Sequence, residues 1–324
     1  MRLVFMGTPE IALPSLEKIF HSSHTIEAVF TQPDRASGRG CRITPPPVKT
    51  WAIEKAIGVF QPESLRHDEH PESIIKDIYP DCIVAVAYGL ILPKRILDIP
   101  RLGCVNLHFS LLPRYRGAAP VNWAIVRGER KTGITTFLMN ERMDEGEILL
   151  QEEVEILEEE RADSLSKRLA EVGSRILLRT LDQWERGEIR PVAQDHSKAT
   201  YAPIIKKEDG KINWSSSAVD IANMVRGFHP WPGAYSTINS RRVKITDAGP
   251  APDVFQIESI SSNVIFMGAR SGTVISSHGG AINVLCGDNT ILAIRNLQPE
   301  GKSEITAREA LNGRYLKVGD RFVS

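Results

Sequence analysis

The sequence predicts a doubly wound α/β domain with a mostly parallel sheet, followed by a small β-rich barrel or sandwich. Three observations carry this expectation. The first 189 residues alternate short apolar strands with amphipathic helices. One of those strands, CIVAVA at 82–87, is apolar on both faces, as a central parallel strand covered by helices must be. Beyond residue 206 the text changes to short β-rich runs punctuated by glycines. A chain of 324 residues holds about two domains of roughly 150 residues, and the partition expected is 1–189, a linker at 190–205, and 206–324.

Taken in order, residues 3–6 and 26–31 are strand-like, separated by a helix that Pro9 can open because its missing N–H costs nothing at the first helical position. PESIIKDIYP at 71–80 is a short helix, the strand at 82–87 follows, and 104–107 is the next. Residues 135–139 and 148–150 complete the sheet. Asp163 is a good N-cap for a last helix, in which Leu165, Leu169, Val172, Ile176, Leu177 and Leu181 recur at helical spacing until Gly187. The acidic run at 152–160 reads as a solvated face or loop. Residues 190–203 lack periodicity, contain two prolines and read as an extended linker. A helix at 218–225 then precedes strands at 242–246, 264–266, 272–276, 281–285 and 291–296.

Composition narrows the function. No run approaches the roughly 18 apolar residues of a membrane span, and the opening MRLVFMG is a strand rather than an apolar leader, so a cytoplasmic protein is expected. Cys41, Cys82, Cys104 and Cys286 show no paired spacing, which argues against metal or redox chemistry. Basic and acidic residues balance at 40 each. Residues from 206 onward carry 14 basic and 11 acidic groups, net +3, leaving −3 for the first 205; that asymmetry alone does not establish nucleic-acid binding.

The stretch NLHFSLLPRYRGAAP at 106–120 is where a strand ends in polar groups. Alternation puts Asn106 and His108 on one face and Leu107 on the other. An open parallel sheet binds ligands outside the carboxyl ends of its strands, so this face is a candidate site. Arg114 and Arg116 follow, either as surface charge or as contacts to a ligand phosphate or carboxylate. Asp144, in MDEG, reads alone as a turn former and, with the imidazole, as its partner. The stretch QPDRASGRGCRITPPPV at 32–48 carries Arg35, Arg39 and Arg42, with Lys49 next door. It reads as a structureless loop, either a solvated linker or a flexible arm able to reach the splayed end of an RNA.

NLHFSLLP followed by MDEG resembles the signature of the 10-formyltetrahydrofolate-dependent formyltransferases, and within that family the members whose acceptor is initiator methionyl-tRNA. FHPWPGAY at 228–235 and LQPEGKSEITAREALNG at 297–313 extend the resemblance along nearly the whole chain. It implies a catalytic trio of Asn106, His108 and Asp144, and a folate segment of Ser110, Leu111, Leu112 and Pro113. Tyr88 and Leu90 resemble a folate-pocket wall, although apolar packing explains them equally well. It further implies an OB-like second domain, 10-formyltetrahydrofolate as donor, no metal, and a monomer. The loop with Arg35, Arg39, Arg42 and Lys49 would engage the acceptor arm. Lys206, Lys207, Lys211, Arg241, Arg242 and Lys244 would contact phosphates.

Formyl transfer to an amine needs a neutral amine, a polarised carbonyl and donors for the developing oxyanion. Asn106 and an N–H of His108 are the expected donors, with Asp144 orienting or charging His108. A related enzyme acting on a small sugar or ribonucleotide amine would share the trio but usually lack this second domain or carry a different one. A dinucleotide-dependent oxidoreductase is disfavoured, since the first turn reads GTPE where a pyrophosphate needs three glycines.

Overall fold

A computed structural model describes residues 1–37, 42–251 and 269–323. They fall into two compact units, one of Met1–Pro120, Lys131–Glu155 and Leu165–Pro203, the other of Val121–Arg130, Ile156–Ser164 and Ile204–Ser324. No helix among the described residues is long and apolar enough to cross a membrane.

The first unit is built on a seven-stranded sheet. Its order is Ile148–Glu155, Lys131–Leu138, Cys104–His108, Cys82–Val86, Arg2–Gly7, Thr25–Phe30 and Gly58–Phe60. The last five pair in parallel, whereas Lys131–Leu138 runs antiparallel to both of its neighbours. Every residue of Cys82–Val86 is buried, as its two-sided apolar sequence requires. The chain enters at the middle, builds outward to Gly58–Phe60, then returns to Cys82–Val86 on the other side of Arg2–Gly7. That reversal marks the place, at the carboxyl ends of the two central strands, where open parallel sheets bind their ligands.

Several details position the site. A Cβ on Gly173 of the helix Ala162–Glu185 would sit 3.0 Å from the Leu107 side chain, so the helix packs closely against the Cys104–His108 strand. Leu107 is thereby committed to the helical layer, leaving Asn106 and His108 to face the other way. The helix stops at Gly187, whose φ of 67° suits the left-handed residue of a C-terminal cap.

The structure departs from the sequence reading at two places and adds detail to it at two more. Pro9 lies before a short 3-10 turn in extended conformation, and the α-helix starts later, at Leu13, with Pro14 in its first turn. The arginine loop contains an antiparallel pair, Arg35–Ser37 with Arg42–Thr44, and its return leads into the helix Pro47–Glu54, which explains why PPPV follows. Residues 152–155 of the acidic run belong to the edge strand Ile148–Glu155, with Val154 buried between exposed glutamates. Residues 190–203 are extended but bonded to the first unit: Val192 pairs with Ile148, and Tyr201–Ala202 with Arg116–Gly117. Cys82, Cys104 and Cys286 are free and buried, and burial pushes the Cys82 and Cys286 thiols up to about 12.

The second unit carries an antiparallel sheet in the order Ala234–Ile238, Arg241–Pro250, Ile291–Pro299, Ala281–Leu285 and Val274–His278, with Ile305–Thr306 added to Ile291–Pro299. Its two edges are drawn together by the C-terminal segment, where Val323 bridges Thr237 and Arg321 bridges Thr273. This makes an OB-like barrel around Trp214, which stacks on Phe322 at 5.0 Å between ring centroids. The helix Ala218–Gly227 covers it, and its Ser217 N-cap hydroxyl accepts from the Asp220 N–H. The strand Ala234–Ile238 went unpredicted because the prolines of FHPWPG precede it. The strand expected at 264–266 lies outside the described residues.

Candidate active site

The carboxyl edge of the first sheet is tied together by short hydrogen bonds. The Tyr88 carbonyl accepts from the Thr8 hydroxyl and the Gln32 side-chain amide, both at 3.0 Å. Ala87 and Gly89 flank it with φ of 48° and 83°, and both are exposed. The Tyr88 ring turns away, 3% exposed, into the core with Leu92 and Ile96, and Leu90 packs on the same cluster. Both side chains take part in core packing, and Ala87 and Gly89 are the residues that this strand end exposes.

The next strand end presents Asn106 and His108. Asn106 is partly exposed, and its carboxamide has no hydrogen-bond partner among the described residues. His108 is 6% exposed, with Nε2 2.9 Å from the Tyr115 carbonyl. A carbonyl can only accept, so Nε2 carries the hydrogen and the neutral ring has its lone pair at Nδ1. That lone pair faces Asp144, whose Oδ2 lies 3.8 Å away, beyond hydrogen-bond range. An N–H from His108 to an oxyanion would then come from Nδ1 of the protonated ring. In the neutral ring the only N–H is committed to Tyr115.

Asp144 sits on a loop with φ of 53°, a left-handed conformation unusual outside glycine. Its Oδ2 accepts from the Gly117 N–H at 2.7 Å. Gly146 follows where a Cβ would fall 1.6 Å from the Leu138 carbonyl oxygen, so only glycine fits. Among the described residues, no three His, Cys, Asp or Glu side chains group as a metal site would need.

The segment Ser110, Leu111, Leu112 and Pro113 is pinned by one buried hydroxyl. Thr135 Oγ1 donates to the Ser110 carbonyl at 2.6 Å and accepts from the Leu112 N–H and the Gln151 amide at 3.0 and 2.9 Å. Ser110 and Leu112 are buried, while Leu111 and Pro113 keep partial exposure. Sequence reasoning missed Thr135 and Gln151, whose role depends on pairing between distant strands. It also left Arg116 open as surface charge, whereas Arg116 is 1% exposed, bonded to Gln194 and ion-paired with Glu145 at 3.2 Å.

A domain family described as "Formyl transferase" matches residues 1–181, and its C-terminal domain matches residues 204–315. A methionyl-tRNA formyltransferase of Citrifermentans bemidjiense is 45% identical, over 98% of this chain and 95% of that protein. One from Alkaliphilus oremlandii is 44% identical over 99% of both. The chain belongs to the methionyl-tRNA formyltransferase family. In fold it also resembles the crystal structure of WlaRD, a sugar 3N-formyltransferase, with a TM-score of 0.65 and 19% identity over 94% of this chain and 99% of that one.

The cations expected to serve an RNA acceptor in this formyltransferase are dispersed differently from one another. Arg35 is exposed, Arg42 lies on the second short strand of the loop, and Arg39 falls outside the described residues. Lys49 is held by both oxygens of Asp34 at 2.8 Å, so its charge is largely compensated. In the second unit Lys211, Tyr235 and Lys244 form one cross-strand row. Arg242 stacks over the Tyr235 ring, 3.7 Å from its centroid. Lys206, Lys207 and Arg241 are exposed nearby in sequence.

Proposed function

We propose that this methionyl-tRNA formyltransferase transfers the formyl group of 10-formyltetrahydrofolate to the α-amino group of methionyl-tRNA at Asn106, His108 and Asp144. The observation that carries the site assignment is a carboxamide without a partner among the described residues, beside an imidazole whose second nitrogen faces a carboxylate. The folate supplies an activated formyl carbon. The strand ends suit it through the exposed residues Ala87 and Gly89 and the partly exposed Asn106 amide.

The residues divide the work. A free α-amino group titrates near about 7.7–8.0, so a useful fraction of the acceptor is already neutral. The Asn106 NH₂ donates to the oxygen on which charge develops. His108 Nδ1 accepts the proton that the attacking nitrogen loses and returns it to folate N10 as the formyl C–N10 bond breaks and tetrahydrofolate leaves, while Asp144 stabilises the intervening imidazolium across 3.8 Å. The Tyr115 carbonyl fixes the tautomer that keeps Nδ1 basic.

On the acceptor side, Lys211, Arg242 and Lys244 supply phosphate contacts, joined by Lys206, Lys207 and Arg241, while Arg35, Arg39 and Arg42 reach the acceptor arm. The chain is proposed to act in the cytoplasm as a monomer. Incubation with the folate donor and either charged initiator tRNA or a nucleotide-linked amino sugar tests the assignment. Formyl-methionine on the tRNA is expected, and product only on the sugar amine would overturn it.

A further inference from the structure

We propose that Gln194 is a positioning residue for formyl transfer, holding the Asp144 loop so that its carboxylate faces His108. The inference rests on the reading of Asp144 as the partner of His108, and goes beyond it by assigning what keeps Asp144 in place.

Gln194 is 6% exposed and every hydrogen-bonding position of its carboxamide is used. Nε2 donates to the Asp144 carbonyl and to the Gly146 carbonyl, both at 2.8 Å. Oε1 accepts from Arg116 Nη2 at 2.7 Å and Nε at 3.2 Å. Two carbonyls on one side and a guanidinium on the other leave a single chemically sensible orientation of the amide. Arg116 is in turn held by Glu145, on the same loop, and by His196 Nδ1 at 2.9 Å.

The loop needs such a brace. Asp144 occupies left-handed backbone space, which a residue with a Cβ keeps only where its surroundings dictate it. Its side-chain anchor, the Gly117 N–H, fixes one oxygen but leaves the backbone unheld. Gln194 supplies what is missing, since it bonds the carbonyls on either side of Glu145. The segment that carries it grips the other half of the site as well. Thr200 Oγ1 accepts from the Tyr115 N–H at 2.9 Å, and the carbonyl of Tyr115 orients His108. One stretch of chain therefore registers both the imidazole and the carboxylate.

The test is a double-mutant cycle on the full-length enzyme, using kcat for methionyl-tRNA per folded molecule as measured by circular dichroism. Gln194→Ala is expected to lower kcat by about 10–100-fold with the KM for tRNA unchanged, because misplacement of a reacting group acts on the chemical step. Gln194→Glu keeps the acceptor for Arg116 but cannot donate to the two carbonyls, so it is expected to be as slow while folding fully. In an Asp144→Asn background both substitutions should have little further effect, since a positioning residue acts through the group it positions. Wild-type kcat in Gln194→Glu, or an equal loss in both backgrounds, would overturn the proposal. Wild-type kcat in Asp144→Asn alone would instead strike the reading of Asp144 on which it rests.

Discussion

Replacing Asp144 by Asn removes one charge and almost nothing else. Asn Oδ1 can still accept from the Gly117 N–H, and the side chains are nearly isosteric, so the loop should keep its conformation. What is lost is the attraction between a carboxylate and the imidazolium that forms as His108 Nδ1 takes the proton. At 3.8 Å, an effective dielectric of about 20 gives about 4 kcal/mol. The Asp144 side chain is 15% exposed, so solvent trims this to about 3–4 kcal/mol. At about 1.4 kcal/mol per tenfold, kcat should fall by about 10²–10³. Single-turnover formylation of methionyl-tRNA at saturating folate donor measures it, with thermal melting to confirm the fold. A turnover close to wild type would show that no charge forms on His108 in the transition state, and the general-base role would fail.

Further outcomes are expected from the same structure. Gly146→Ala forces a methyl group onto the Leu138 carbonyl and should displace the Asp144 loop, costing about 10²-fold in kcat; an active Gly146→Ala enzyme would mean the loop position is immaterial. Binding of tRNA should weaken steeply with salt. Lys211→Gln with Lys244→Gln should reduce the slope of log K against log salt by about one per side chain removed, read by filter binding at several salt concentrations. Burial holds His24 below its ordinary value near about 6.5. The unfolded chain therefore binds more protons there, and stability present above that value is lost as pH falls through it toward the lower folded value. The melting temperature of His24→Leu should accordingly depend less on pH in that window than that of the wild type, and an identical dependence would remove His24 as the cause.

The parts of the candidate site legible in the sequence are those close together along the chain. Strand alternation put Asn106 and His108 on one face, while Asp144, a turn former when read alone, joined them through the family resemblance. A small barrel or sandwich was legible from short runs between glycines, and resemblance to the family sharpened it to an OB-like barrel. What escaped detection depends on contacts between distant segments. Gln194 lies in a stretch without periodicity, 50 residues from the loop it braces, and nothing local distinguishes it from a linker glutamine. Arg116 reads as surface charge until Gln194, Glu145 and His196 are seen around it. Tyr88 read as a pocket wall through the family resemblance, with apolar packing an equal explanation. Here a left-handed residue before it turns the ring into the core.

The most direct test follows a radiolabelled formyl group from 10-formyltetrahydrofolate to methionyl-tRNA in a single turnover, with wild type and Asn106→Ala side by side. Label is expected on the methionine nitrogen, with Asn106→Ala slower by about 10²–10³ because an oxyanion donor is gone. Label that reaches the tRNA equally fast in both enzymes, or never reaches it in either, would contradict formyl transfer at this strand end.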